Sequence, residues 1–247
     1  MIPKSLLILS LAVQVMAKGK RGLTYNDASL ANLFRNSAEV TWGYNWGFTS
    51  NGLDPSFEFS PMLWGLPSGP ELSWTSILES NDTLHALSFN EPDLEDQANI
   101  TAADAAEGHR TFLEPFASLV KLSTPAVTNG PPPNMGTGWM QQFLDECSEC
   151  TFDFAAIHWY SNNDPKGFKT YVQDFHESFG LPIWITEFAA SGEEEEQISF
   201  LQEVLPWLDT QDYVERYSYF GVFPGFLANE AGDGLSALGE VYATYTG

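Results

Sequence analysis

Short runs rich in β-branched and aromatic residues alternate with amphipathic stretches along this chain, and that alternation limits the fold more than any other feature. Seven such runs fall at residues 40–46, 57–64, 83–90, 121–127, 152–160, 182–188 and 214–223. Helix signals lie between them. Residues 101–120 open with Thr-Ala-Ala-Asp, a capping signature. Residues 166–179 place Phe168, Tyr171, Val172, Phe175 and Phe179 on one face at helical spacing. Residues 193–208 begin with four glutamates, a solvated start that the helix dipole favours, and residues 235–242 supply a closing helix. Such alternation builds a parallel sheet, either doubly wound or closed into a (β/α)8 barrel. Neither GxGxxG nor GxxxxGKS/T opens a helix, which argues against the nucleotide-binding option. A barrel keeps its chemistry at the C-terminal ends of its strands. Polar and aromatic residues gather at those ends: Asn45 and Trp46, Trp64, Asn90 and Glu91, His158 to Tyr160, and Glu187. The expected fold is therefore α/β, a compact (β/α)8 TIM-type barrel with one strand short or missing.

The first residues read as an address. Residues 1–17 (MIPKSLLILSLAVQVMA) set a lysine before an apolar run and end on small residues suited to cleavage, as in a secretory signal peptide. That run is too short to span a bilayer. Lys20-Arg21 resembles a dibasic processing site, so residues 18–21 read as a processing segment and residues 22–247 as a single barrel domain. A length near that figure is about what one hydrophobic core can serve. Two N-glycosylation sequons, Asn81-Asp82-Thr83 and Asn99-Ile100-Thr101, agree with export. The two cysteines, Cys147 and Cys150, are expected to form a small local disulfide in an oxidising compartment. A thioredoxin-like redox pair is the alternative, but it wants a strand before and a helix after, the reverse of the order here. No second Cys/His pair accompanies them, so neither a zinc site nor any other metal or cofactor is expected.

Charge narrows the partners. The formal net charge is −23, and four of the ten cations (Lys4, Lys18, Lys20, Arg21) lie within the first 21 residues. Such a surface repels phosphate backbones and anionic lipid, so nucleic acid and membranes are excluded and a neutral or cationic partner is favoured. With 43% hydrophobic and 14% aromatic residues the chain has enough to bury. It is expected to be a soluble, secreted monomer, extracellular or held in a cell wall.

Two strands end in acids: Ser88-Phe89-Asn90-Glu91-Pro92 and Trp184-Ile185-Thr186-Glu187-Phe188. They sit three strands apart, which in a small barrel sets them nearly face to face across the mouth. With so few cations downstream, structural ion pairing has few partners for them. Opposed carboxyls between aromatic walls suit glycosidic hydrolysis, one protonating the leaving oxygen and the other meeting the oxocarbenium-like centre.

The motifs WGYNW (42–46), PMLWG (61–65), SFNEPD (88–93), IHWY (157–160), WITEF (184–188) and GLSALGEVYATY (234–245) occur in order. On these the chain resembles glycoside hydrolase family 128, in the clan A retaining hydrolases, over essentially all of residues 22–247. The resemblance implies β-1,3-glucan hydrolysis with retention, endo-acting in the leading reading. Glu91 matches the acid/base and Glu187 the nucleophile. Asn90 takes the place of the asparagine that holds the sugar 2-hydroxyl, and His158 and Tyr160 that of the residues touching nucleophile or sugar. Glu91 must carry a proton when substrate binds, and Glu187 must be ionised. Trp46, Trp64 and Phe220 offer flat faces to sugar C–H groups, and Asn45 completes the expected binding set. Trp42 and Trp184, at mid-strand, read as core; His85 and His109 read as structural. In the clan the acid/base follows the fourth strand, whereas only two runs precede its own here. Two further readings remain: hydrolysis of another β-glycan such as mannan or mixed-linkage glucan, and a non-catalytic glucan-binding wall protein.

Overall fold

Eight short parallel strands, each but the second followed by a helix, make up the computed structural model, which describes residues 19–67, 72–80 and 82–247. The signal-like residues 1–17, Lys18 and Asn81 lie outside the described residues. The strands are β1 (Arg21–Thr24), β2 (Val40–Tyr44), β3 (Glu58–Phe59), β4 (His85–Ala86), β5 (Lys121–Leu122), β6 (Ala155–Ser161), β7 (Ile183–Ala190) and β8 (Val214–Tyr219). Six form one sheet in the order β3-β2-β1-β8-β7-β6, and β4 pairs with β5. Single bridges join the two sheets: Met62 to Leu87 between the segments after β3 and β4, and Ser123 to Phe154 and Val127 to Ile157 between the β5 and β6 segments. The fold is a (β/α) barrel whose seams are bridges rather than continuous ladders.

The strand missing from the sequence pattern is the first. β1 has only four residues, Arg-Gly-Leu-Thr, too short and too polar at its start to show a period. With it restored, Glu91 follows β4 and Glu187 lies in β7, so the three-strand offset holds. Lys20 and Arg21, read as a processing pair, are built into the barrel. Arg21 is fully buried, and its guanidinium donates to Tyr217 Oη (3.0 Å), Asp209 (3.1 Å) and the carbonyls of Tyr242 (2.8 Å) and Tyr245 (2.6 Å). The Lys20 ammonium bonds the Gln211 carbonyl at 2.8 Å.

The helices are α1 (Ala28–Ala31), α2 (Leu72–Leu78), α3 (Ala102–Phe112), α4 (Gly136–Glu146), α5 (Pro165–Phe179), α6 (Glu194–Thr210) and α7 (Ala237–Thr244). Thr101 caps α3 by accepting from the Asp104 N–H, and Glu193 with Glu196 forms a capping box on α6. α3 stops well short of residue 120 because Pro115 takes the chain into a 3-10 turn, Glu114–Phe116. Phe168, Val172 and Phe175 of α5 are fully buried against the barrel. Cys147 ends α4 and is bonded to Cys150. Inside the barrel Trp42, Tyr44, Met62, Leu87, Phe154 and Trp184 pack together, so Trp42 and Trp184 are core. Below them Arg216 lies over the Trp184 ring at 4.3 Å and pairs with Glu58, which also meets His85 Nδ1 at 2.5 Å. Among the described residues no helix is long and apolar enough to cross a membrane.

Candidate active site

At the C-terminal mouth of the barrel the ends of β2, β6 and β7 and the segments after β3, β4 and β8 surround a hollow of about 390 Å³. Its wall is Trp46, Trp64, Asn90, Glu91, Gln97, Tyr160, Glu187 and Phe220. The two glutamates are almost buried, at 7% and 5% exposure, yet both open into it. One oxygen of each lies within 4.8 Å of the other, with His158 between them.

Glu187 is placed by β7, between the fully buried Thr186 and Phe188. Three hydroxyl or indole donors converge on it: Tyr160 Oη at 2.5 Å on one oxygen, Trp46 Nε1 at 2.8 Å and Tyr44 Oη at 3.1 Å on the other. Hydrogen bonds to a carboxylate stabilise its charged form. Burial and the Glu187 charge push both tyrosine hydroxyls far above their ordinary range, so each stays a donor.

Glu91 is placed by backbone geometry. It leaves β4 with φ at 41°, a left-handed conformation uncommon for this residue type, and its N–H bonds the Ala126 carbonyl at 2.8 Å. Trp46 stands at φ 59°, so two walls of the hollow rest on strained backbone held by their surroundings. His158, fully buried on β6, places Nδ1 2.8 Å from Glu91 and 3.5 Å from Glu187, with Nε2 3.0 Å from Thr186 Oγ1. Burial alone would lower the imidazole pKa; the Glu187 charge and the hydrogen bond and charge of Glu91 outweigh it and hold the value raised. An imidazolium there donates from both nitrogens, to Glu91 and to Thr186.

Seven of the residues singled out in the sequence meet in this hollow; two do not. Asn45 turns away from it, its amide donating to the Thr49 carbonyl and its carbonyl oxygen accepting from the Gly47 N–H, so it organises its own loop. His158 is sealed behind the carboxyl groups and cannot reach a sugar. Trp46 does more than offer a face, since its indole N–H is committed to Glu187. Tyr44, Thr186 and Gln97 were not foreseen. Tyr44 sits in WGYNW with the inward parity of Trp42, a signal that was available; Gln97 reaches the site from an irregular loop with no pattern to mark it. Its Oε1 accepts from the Asn90 amide at 3.1 Å, leaving Asn90 Oδ1 buried with no partner among the described residues. Asn99 is exposed, and its sequon lies on the loop after Glu91.

The hollow continues on both sides. One arm, of about 390 Å³, begins at Trp64 and runs past Leu66 and Asn99. The other, of about 690 Å³, begins at Tyr160 and Phe220 and ends at Phe226. Trp64, Leu66, Tyr160 and Phe226 are among the largest exposed apolar side chains of the described residues.

Residues 22–242 match the family described as glycosyl hydrolase catalytic core. The alkali-sensitive linkage protein 1 of Schizosaccharomyces pombe is 34% identical over 91% of this chain, which spans 44% of that protein's length. Among solved structures, a curdlan-specific exo-β-1,3-glucanase of Blastomyces gilchristii with bound glucose is 40% identical, at a TM-score of 0.83, covering 92% of this chain and 99% of that one. An endo-β-1,3-glucanase of Amycolatopsis mediterranei in complex with laminaritriose is 26% identical, at a TM-score of 0.77, covering 91% of this chain and 98% of that one.

Proposed function

The chain belongs to glycoside hydrolase family 128, within the glycosyl hydrolase catalytic core family, and from that membership we propose that it is a secreted, retaining endo-β-1,3-glucanase. The observation that carries the reaction is the close approach of Glu91 and Glu187, within 4.8 Å at their nearest oxygens. That spacing favours the close-set carboxyls of retaining enzymes, about 5–5.5 Å apart, over the wider gap that admits a water in inverting ones. Glu187 attacks the anomeric carbon as the glycosidic bond breaks, and Glu91 passes its proton to the departing oxygen. Glu91 then takes a proton from water, whose oxygen attacks the same carbon and frees Glu187. Between the two steps Glu91 is a carboxylate, and its 2.8 Å contact with His158 Nδ1 stabilises that charge. The donors from Tyr44, Trp46 and Tyr160 hold the Glu187 carboxylate aligned for attack. Asn90 Oδ1, without a partner of its own, can accept from a sugar hydroxyl.

The two arms support endo action, because a groove open on both sides admits the middle of a chain. The 40% identity with an exo-acting enzyme favours the second reading, release from one end. Export is supported by residues 1–17 and by the Cys147–Cys150 bond. Time-resolved product analysis on laminarin, curdlan, lichenan, cellulose and mannan tests the proposal. A ladder of oligosaccharides from laminarin or curdlan is expected; one small product from the outset would mean exo action. Turnover confined to mannan or cellulose would overturn the β-1,3 assignment.

A further inference from the structure

Asn99 stands at the brink of one substrate arm. Its φ of 47° puts it in the left-handed region, which asparagine tolerates, and its side chain is exposed. The loop is pinned on both sides of it: the Ala98 N–H bonds the Asn90 carbonyl (3.2 Å) and the Ile100 N–H the Pro92 carbonyl (2.9 Å). Asn99 is thereby fixed relative to Glu91. Its amide makes no hydrogen bond among the described residues. It heads the sequon Asn99-Ile100-Thr101 and lines the same arm as Trp64 and Leu66, which are 39% and 43% exposed. A glycan on that amide has one side open to solvent and, on the other, an apolar floor leading to the catalytic hollow.

We propose that Asn99 carries an N-linked glycan whose first sugars lie along the Trp64–Leu66 arm and form a wall of the substrate cleft. The N-acetylglucosamine ring is the size of a glucosyl unit and offers the same C–H faces to an indole, so it competes with substrate for that arm. The glycan thereby weakens the hold of that arm on longer substrate and leaves the arm at Tyr160 and Phe226 open. This inference rests on the exported glucanase reading above.

The full chain, made in a eukaryotic secretory host, is mapped by glycopeptide mass spectrometry and compared with Asn99→Asp and Asn99→Gly, both of which tolerate the left-handed backbone. Occupancy of Asn99 is expected in the parent. Removing the glycan should speed hydroxyl-radical oxidation of Trp64, a readout that needs no catalysis. It should raise kcat/KM on laminarihexaose by about threefold or more. An unoccupied Asn99, or Trp64 oxidised equally with and without the glycan, would overturn the proposal. Occupancy and Trp64 protection without hydrolysis of any β-1,3-glucan would sink the glucanase reading instead and leave the glycan where it is placed.

Discussion

At the scale of single residues the two carboxyl groups differ in what holds them, and the difference predicts different failures. Glu187 accepts from Tyr44, Trp46 and Tyr160, whereas the Glu91 carboxyl has one hydrogen-bond partner among the described residues, His158. Glu187→Gln should abolish turnover on every substrate, because the neutral amide that remains is too weak a nucleophile to form the glycosyl-enzyme. Glu91→Gln should fail on laminarin yet form the glycosyl-enzyme from an aryl glycoside whose phenolate leaves unaided, and added azide should then release a β-glycosyl azide. Azide rescue of Glu187→Gln with a β-product, and of Glu91→Gln with an α-product, would reverse the roles. Tyr160→Phe tests the alignment of the nucleophile. Tyr160 is 38% exposed, so the change leaves no buried gap, but it deletes the 2.5 Å bond to Glu187. A hydrogen bond to a charged group contributes about 1.5–3 kcal/mol, so kcat should fall by about tenfold or more, with an unchanged melting temperature. Retention of full kcat would mean that Tyr160 serves only as a platform.

At the scale of elements, the pairing of α3 with α4 contains a pH-dependent contact. His109 of α3 is fully buried against Phe143 and Phe152, with Glu114 3.5 Å from Nε2 and Arg110 beside it. Burial lowers its pKa to about 4, against the opposing pull of Glu114. The unfolded chain then binds more protons than the folded one between about pH 6.5 and 4, so stability is lost as pH falls through that window. The loss amounts to about 3 kcal/mol. Glu58 behaves in another window: burial alone would raise its pKa, but bonds to His85 and Arg216 hold it at about 2, so its contribution disappears only below about pH 4.5. Urea unfolding of His109→Phe at pH 7 and 5 should show the slope above pH 4.5 largely removed; an unchanged slope would clear His109. The helices were legible in sequence where an apolar face and a cap coincide, as in α5 and α6. The strands were legible by aromatic content, but β1 was not, since four residues beginning with arginine carry no period and their burial comes from partners about 200 residues away. The carboxyl pair was legible because strand ends in a barrel face one mouth. Asn45 was misplaced because sequence parity does not reveal a loop that turns on its own asparagine, and Gln97 was missed because its position is set by tertiary contact alone.

At the scale of the whole molecule, the barrel begins and ends on one ion cluster. Arg21 opens β1, yet its guanidinium binds Asp209 at the end of α6, Tyr217 of β8 and two carbonyls at the end of α7. Tyr217 Oη in turn donates to Asp209 at 2.5 Å. β1 pairs with β8 at Arg21–Tyr217, and one further bridge, Tyr25–Val222, lies just beyond the strand ends, so few ladder bonds secure this seam and the side-chain cluster reinforces it. Removing Arg21 leaves the Tyr242 and Tyr245 carbonyls without their donor and Asp209, whose side chain is 30% exposed, without its cation, a cost of about 3 kcal/mol. For a domain of this size that is a fall in melting temperature on the order of 10 °C. Arg21→Met, similar in length and apolar, should show that fall while leaving kcat near the parent value well below the transition, since the cluster lies at the opposite end of the barrel from Glu187. A chain beginning at Gly22 should melt at least as low as Arg21→Met, because it loses both the clasp and the Lys20 bond to Gln211. The measurement is calorimetry on three chains, beginning at Lys18, beginning at Gly22, and carrying Arg21→Met. If the chain beginning at Gly22 melted with the parent, the N-terminal strand would be held by its backbone alone, and a processing cut after Arg21 would regain physical support.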